Sequence, residues 1–233
     1  MEQLKDVVRR VDFGYFIRPA SETGSGAARV EPVLGYLIAC DDGFGLFDTG
    51  IGAGHDDLDA HYHPFRRPLA EALATHGVRV DDVAWVANSH LHFDHCGGNP
   101  ILTSRPIFVQ EAELATAKGR DDYTLPELVS PGIRYETIAG RAEIAPDIYV
   151  LPTPGHVEGH QSLVVRLDDG TIICAGQSHD TASGFTADVL SRQAIGDGTK
   201  QPGPPPPAWL EVLLGWDPAR IVFAHDLAIW EPT

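Results

Sequence analysis

The stretch HLHFDH, residues 90–95, places three histidines and one carboxylate within six positions. It follows residues 83–87, whose apolar and branched side chains predict a buried strand. In an extended segment, residues two apart point to the same side, so His90 and His92 can bind one metal ion. Asp94 and His95 come where the chain must leave the strand, and they can bind a second ion. Residues 96–98, Cys-Gly-Gly, are predicted to supply the turn because glycine adopts backbone conformations that other residues resist.

Two further histidines follow predicted strands elsewhere in the chain. His156 ends the segment TPGH after a predicted strand at 148–151, and His225 follows a predicted strand at 221–224. Binding groups are expected at strand ends, because the sheet holds such loops rigidly. A lone histidine is usually an ordinary surface or core residue, but this combination indicates a metal site. Imidazole and carboxylate ligands suit zinc, with iron, cobalt or manganese as alternatives. The four histidines without such context are expected at the surface: His55, His61, His63 and His76.

The rest of the chain predicts a mixed α/β fold in a single domain, residues 1–233, because hairpins outnumber strict βαβ units. Tight DDG turns indicate two hairpins, of strands 33–40 with 44–47 and 162–167 with 171–175. A further strand is predicted at 106–109, and helices at 69–76, 110–118 and 209–214. Residues 61–68 are predicted to form a polar connection, and the proline-rich residues 202–207 an extended loop. The aromatic residues at 13–16 can line an acyl pocket or pack in the core.

Composition limits the classes of partner. The formal net charge of -16 disfavours binding to nucleic acid or to anionic membranes, but allows a small neutral substrate. Three cysteines do not make a disulfide framework. The N-terminus lacks the apolar core of a signal peptide, and no apolar run is long enough to span a bilayer. We therefore expect a cytoplasmic protein, with a homodimer as one expectation for its assembly.

Four motifs in the expected order resemble the metallo-β-lactamase superfamily. They are HLHFDH followed by Gly97 and Gly98, LFDTG at 46–50, TPGH at 153–156, and His225. The resemblance implies an α/β (α+β) fold, a four-layer αββα sandwich with a dinuclear metal site at one edge. Within the superfamily, TPGHVEGHQSL at 153–163 is similar to the middle motif of the N-acyl homoserine lactonases. The separation of 61 positions between His95 and His156, and the pair His225-Asp226, also fit that group.

The resemblance assigns roles to individual residues. Two sets of metal ligands follow from it: His90, His92 and His156 for one ion, and Asp94, His95 and His225 for the other. Asp48 would be a buried residue that steadies the metal-binding loop. His160 would orient the loop through hydrogen bonds rather than bind metal.

The chain departs from the family pattern after the predicted strand 171–175. Gln177 stands where the family places a bridging aspartate, and Asp180 stands where the lactonases carry a tyrosine near the substrate carbonyl. Two dications about 4 Å apart repel by roughly 16 kcal/mol at an effective dielectric of 20, which bridging anions offset. A neutral amide removes one such anion. The second zinc ion should therefore bind more weakly, unless Asp180 or His179 compensates.

These observations predict a metal-dependent hydrolase of an ester-like bond in a small molecule, with a lactone of the N-acyl homoserine type as first candidate. Metal-bound hydroxide would attack the carbonyl carbon, and Asp94 would act catalytically by carrying the proton to the leaving oxygen. Other carboxylic esters or thioesters are alternative substrates. Redox chemistry at a single iron is disfavoured because it relies on the missing aspartate. A further alternative is a metal-binding protein with an altered, weakly active site, which Gln177 and Asp180 suggest.

Overall fold

A computed structural model describes residues 7–199 and 206–232. Within this part, seven strands form the first sheet: β1 (Val8–Arg18), β2 (Arg29–Cys40), β3 (Gly43–Phe47), β4 (Phe65–Arg66), β5 (Val83–Ala87), β6 (Ile107–Gln110) and β7 (Tyr135–Ile138). Their spatial order is β4-β1-β2-β3-β5-β6-β7. The pairs β4–β1, β1–β2 and β2–β3 are antiparallel, whereas β3, β5, β6 and β7 run parallel to one another. The carboxyl ends of β3 and β5 therefore meet at one edge of the sheet.

The second sheet contains five strands within the described residues: β8 (Ala142–Ala145), β9 (Ile148–Pro152), β10 (Gln161–Leu167), β11 (Gly170–Cys174) and β12 (Pro218–Val222). Their order is β12-β11-β10-β9-β8. Only the pair β11 and β12 is parallel in this sheet. All four residues of the predicted strand 221–224 are buried, but strand β12 begins earlier, at Pro218, and ends at Val222.

Helices cover the outer faces of both sheets. Those in the described residues are α1 (Asp56–Tyr62), α2 (Leu69–Ala74), α3 (Phe93–Cys96), α4 (Glu111–Gly119), α5 (Ala182–Gly196) and α6 (Ala208–Leu214). None of them is both long and apolar enough to cross a membrane.

Apolar layers between and outside the sheets hold these elements together. Between the sheets, side chains such as Trp85 and Leu163 pack face to face. On the outer face of the first sheet, Leu73 of α2 joins the strands. On the outer face of the second sheet, Phe185 of α5 and Leu210 of α6 do the same. This arrangement is the αββα sandwich, so the predicted fold class is confirmed.

Local sequence patterns missed several elements. The predicted connection 61–68 is wrong, because it contains the end of α1 and the short strand β4. Strand β4 pairs with β1 at Gly14 and Arg66, and Phe65 stacks on Tyr15 with ring centroids 5.3 Å apart. Such partners are distant in sequence, so no local pattern reveals them. Strand β1 and helix α5 were also not predicted, and most of the predicted loop 202–207 lies outside the described residues.

Candidate metal centre and its cavity

The loop after β5 carries four of the six predicted ligands, and α3 forms within it. Its position depends on Gly97, where an added Cβ would lie 2.2 Å from the carbonyl carbon of Ile51. The predicted reason for this glycine was wrong: the φ angles of Gly97 and Gly98 are −60° and −85°, which any residue adopts. Glycine is required because the loop backbone packs directly on the segment that follows β3.

The first ligand cluster contains His90, His92 and His156. Nδ1 of His92 lies 3.0 Å from Nε2 of His90 and 3.2 Å from Nε2 of His156. Burial lowers the pKa of all three rings, to about 4 for His92 and about 3 for His156. The rings are therefore neutral near pH 7 and present lone pairs to one point.

The second ligand cluster contains Asp94, His95 and His225. Oδ2 of Asp94 lies 3.3 Å from Nε2 of His95 and 3.5 Å from Nε2 of His225. Both of these ring nitrogens are buried, and neither has a hydrogen-bond partner in the described part of the chain. Burial opposes the charged forms of Asp94 and His95. Their mutual attraction nevertheless lowers the pKa of Asp94 and raises that of His95.

The spacing of both clusters fits zinc or a similar divalent ion. Nitrogen ligands at 2.0–2.1 Å from a tetrahedral zinc lie about 3.3 Å from one another. The observed separations between facing atoms, 3.0 to 3.5 Å, bracket that value. Buried ring nitrogens without partners also cost free energy unless a ligand satisfies them. The donor set therefore suits two divalent cations.

Contacts behind the second cluster orient its imidazole rings. Nδ1 of His95 donates to Oδ2 of Asp48 at 2.9 Å, and Nδ1 of His225 donates to the carbonyl of Pro32 at 2.8 Å. In each ring this leaves Nε2 free to bind a metal. Asp48 also accepts from the backbone N–H and hydroxyl of Ser89 at 2.7 and 2.9 Å. Its own φ of 61° is unusual for a residue other than glycine, so the turn holds Asp48 in a strained conformation.

His160 lies beside the centre but belongs to neither cluster. Its Nδ1 lies 2.8 Å from the hydroxyl of Thr153, and its Nε2 accepts from the backbone N–H of Gln177 at 3.0 Å. Both ring nitrogens are therefore used within the protein. The ring connects the loop of His156 to the loop of Gln177.

Gln177 is buried at the cavity, and the side chains of His179 and Asp180 have partners outside the ligand clusters. The amide of Gln177 donates to Oδ1 of Asp180 at 3.4 Å, and Oδ2 of Asp180 accepts from Arg29 at 2.8 Å. His179 faces Asp188 at 3.7 Å and accepts from the backbone N–H of Thr181. Neither Asp180 nor His179 shares a cluster with the six ligands among the described residues.

A cavity of about 470 Å³ opens above both clusters. His92, Asp94 and His156 form part of its lining. Apolar and aromatic walls are supplied by Phe16, Leu58, Tyr62, Phe93, Tyr123 and Leu125. Acidic side chains also line it: Glu22, Asp57, Asp121 and Asp122. The space suits a small ligand with an apolar tail.

Sequence reasoning missed several residues of the cavity. His55, expected at the surface, is half-buried and lines the cavity. Arg18 also lines it and is held by the buried Glu31, 13 positions away on the neighbouring strand. The only available signal was the aromatic segment 13–16, since Phe16 both lines the cavity and packs in the core. Strand β1 itself had not been recognised, so Arg18 could not be placed.

The family model that describes the sequences of the metallo-β-lactamase superfamily matches residues 28–225 of this chain. The chain therefore belongs to the metallo-β-lactamase superfamily, and its relatives identify it as a hydrolase.

Several of these relatives are lactonases. An N-acyl homoserine lactonase of Bacillus cereus is 32% identical over 176 residues, which cover 68% of this chain and 68% of the relative. N-acyl homoserine lactonase AiiB of Agrobacterium fabrum is 31% identical over 178 residues, covering 66% and 64%. The solved structure of an N-acyl homoserine lactone hydrolase with N-hexanoyl-L-homoserine at its catalytic metal centre aligns with a TM-score of 0.75. Its identity is 26%, and the alignment covers 94% of this chain and 93% of that one.

Proposed function

We propose that this chain hydrolyses the ester bond of lactones, with N-acyl homoserine lactones as the first substrate class, using two divalent metal ions. The observation that carries the proposal is the pair of ligand clusters beneath a cavity with apolar walls. The similarity to N-acyl homoserine lactonases supports the substrate class. The apolar walls suit an acyl chain, and the polar lining near the clusters suits a lactone ring.

Each cluster would hold one ion, and zinc fits the donor atoms best. When bound, such ions lower the pKa of coordinated water toward neutrality and polarise a carbonyl oxygen. His90, His92 and His156 would supply three neutral nitrogens to one ion. Asp94, His95 and His225 would supply a carboxylate and two nitrogens to the other.

Asp94 has a second task in this proposal. Its carboxylate lines the cavity, so it can reach a substrate as well as the two imidazole rings. A carboxylate in this place can accept the proton released by the attacking water and deliver it to the leaving alkoxide oxygen. Asp48 acts through His95, because its hydrogen bond fixes which ring nitrogen faces the metal.

The test is turnover by metal-loaded protein of a panel of N-acyl homoserine lactones, plain lactones, carboxylic esters and thioesters, followed by proton release. We expect hydrolysis of acylated lactones, loss of activity in His90→Ala and His225→Ala, and no change in His63→Asn. His63 is exposed and belongs to neither cluster. Absence of turnover across the whole panel at full metal occupancy would refute the proposal. If the protein prefers plain esters or thioesters, its proposed substrate class changes from lactones to those compounds.

Gln177 supports a second candidate, a metal-binding protein with a weakly active site. Gln177 is neutral and buried at the cavity, where the family pattern has a bridging carboxylate. Gln177→Asp separates the two candidates. A large gain in hydrolysis would show that the natural site is degenerate, whereas a loss would show that the site is adapted to glutamine.

We also propose a cytoplasmic location. Cys40, Cys96 and Cys174 are all free, as expected for a reducing compartment.

A further inference from the structure

Arg18 is a cationic side chain in a cavity whose other charged lining groups are mainly acidic. It ends β1 and lines the same cavity as Asp94 and Gln177. Among the described residues that line this cavity, Arg18 is the only arginine or lysine. Arg18 belongs to neither ligand cluster, so metal binding does not explain its place in the cavity.

The guanidinium of Arg18 is held in one orientation. Its Nε and Nη2 donate to Oε1 and Oε2 of Glu31, each at 2.8 Å. Glu31 is almost fully buried and is also held by Arg29. The ring of Phe16 lies 5.4 Å from the guanidinium carbon. A planar group fixed along one edge and packed against a ring is preorganised for binding.

Three of the five N–H donors of Arg18 are not used by Glu31. Nη1 carries two of them and has no hydrogen-bond partner within residues 7–199 and 206–232. The buried side-chain atoms that lack a hydrogen-bond partner in this part of the chain do not include Nη1, so Nη1 is accessible from the cavity. The free donors are therefore on the part of the guanidinium that remains accessible, where a ligand can meet them.

The charge around Arg18 selects the kind of acceptor. Burial opposes its charge, but the hydrogen bond and charge of Glu31 raise its pKa, with contributions from Asp94 and Asp180. Glu31 offsets the positive charge, and the cavity walls add the carboxylates of Glu22 and Asp57. A permanently anionic ligand would be repelled by these walls. A neutral carbonyl oxygen would not, and it accepts well from a charged donor.

We propose that Arg18 forms a subsite for a neutral carbonyl oxygen of the substrate other than the one that is hydrolysed. The reacting carbonyl must lie at the ligand clusters, whereas Arg18 is tied to Glu31 outside them. The subsite would therefore select lactones that carry an acylamino group over plain lactones. This inference rests on the proposed function and narrows its substrate class.

The test compares Arg18→Gln and Arg18→Lys with the control Arg66→Gln. Arg66 is bound through two nitrogens to Asp59, and its side chain is 18% exposed, against 17% for Arg18. It does not line the cavity. Each variant is assayed on an acylamino lactone and on a plain lactone of equal length. Elemental analysis checks that the metal content is unchanged.

For Arg18→Gln we expect kcat/KM on the acylamino lactone to fall about tenfold to one hundredfold, mainly through KM. On the plain lactone it should change by less than about threefold, and Arg18→Lys should recover part of the loss. Calorimetry with the corresponding acylamino lactam, which resists hydrolysis, should show the same loss of affinity. Arg66→Gln should match the natural protein in every assay.

An equal fall on both substrates would overturn the inference, because it would indicate a structural role or contact with the reacting carbonyl. No fall on either would overturn it as well. If Arg18→Gln does not fold, the substrate ratio of Arg18→Lys decides, because that variant keeps the charge but loses the fork. If the natural protein hydrolyses lactones and the Arg18 variants hydrolyse them equally well, only this inference fails. If the natural protein hydrolyses no lactone, the proposed function fails with it.

Discussion

The two ligand clusters differ in charge although they lie side by side. The first presents three neutral imidazoles, whereas the second includes the carboxylate of Asp94. Behind the second cluster stands another carboxylate, Asp48, in contact with His95. Gln177, which stands in sequence where the family resemblance implies a bridging anion, is a neutral side chain buried at the cavity. The protein therefore concentrates its negative charge on one side of the centre, and we expect the two ions to bind with unequal affinity.

The largest expected effect comes from removing the charge of the second cluster. Asp94→Asn keeps the shape but removes the carboxylate that we propose as both a metal ligand and the proton carrier. We expect kcat to fall by about 10² to 10⁴ and the protein to retain one metal equivalent instead of two. Kinetics and elemental analysis check this, with His63→Asn as control. Retention of both ions and of full activity would show that the charge difference has no functional role.

A smaller effect is expected from Asp48→Asn. This change leaves every ligand in place but weakens the hydrogen bond that fixes the His95 ring. We expect metal affinity at the second cluster to fall about tenfold to one hundredfold. Competition with a zinc chelator measures it. The prediction is wrong if the affinity at the first cluster falls instead.

Gln177→Asp should reduce the difference between the clusters. A carboxylate near both ions offsets their mutual repulsion, so the weaker ion should bind about tenfold more tightly or better. Gln193→Asp is the matched control, because it makes the same chemical change on an exposed face of α5. An equal gain in both variants would indicate an effect of net charge alone. A decrease specific to position 177 would mean that the amide itself binds or positions a ligand.

The smallest effect per residue concerns the metal-free protein at acid pH. Burial lowers the pKa of His90 and His160 well below 6.5, so both stay neutral when folded. Below pH 6.5 the unfolded chain binds protons that these rings cannot bind, so stability falls as the pH falls. Each such ring contributes about 1.4 kcal/mol per pH unit. Denaturant titrations between pH 5 and 7 measure the slope, and His160→Gln should reduce it. A stability that rises toward pH 5 would contradict this account.

The contrast between predicted and unpredicted parts of the site has a physical cause. Four of the six candidate ligands share one six-residue motif and the other two follow predicted strands, so the sequence alone indicated them and the structure brings them together in two groups. Arg18 depends on the pairing of β1 with β2, which places it near Glu31. The role of Gly97 depends on the backbone of Ile51, 46 positions earlier. Contacts of this kind are fixed by the tertiary fold and leave little trace in a local pattern.

The central claim is an asymmetric dinuclear centre, and titration of the metal-free protein with zinc under equilibrium dialysis tests it most directly. We predict two zinc equivalents per chain at saturation, bound in two steps of clearly different affinity. Saturation at one equivalent, or two ions bound with equal affinity, would contradict the account.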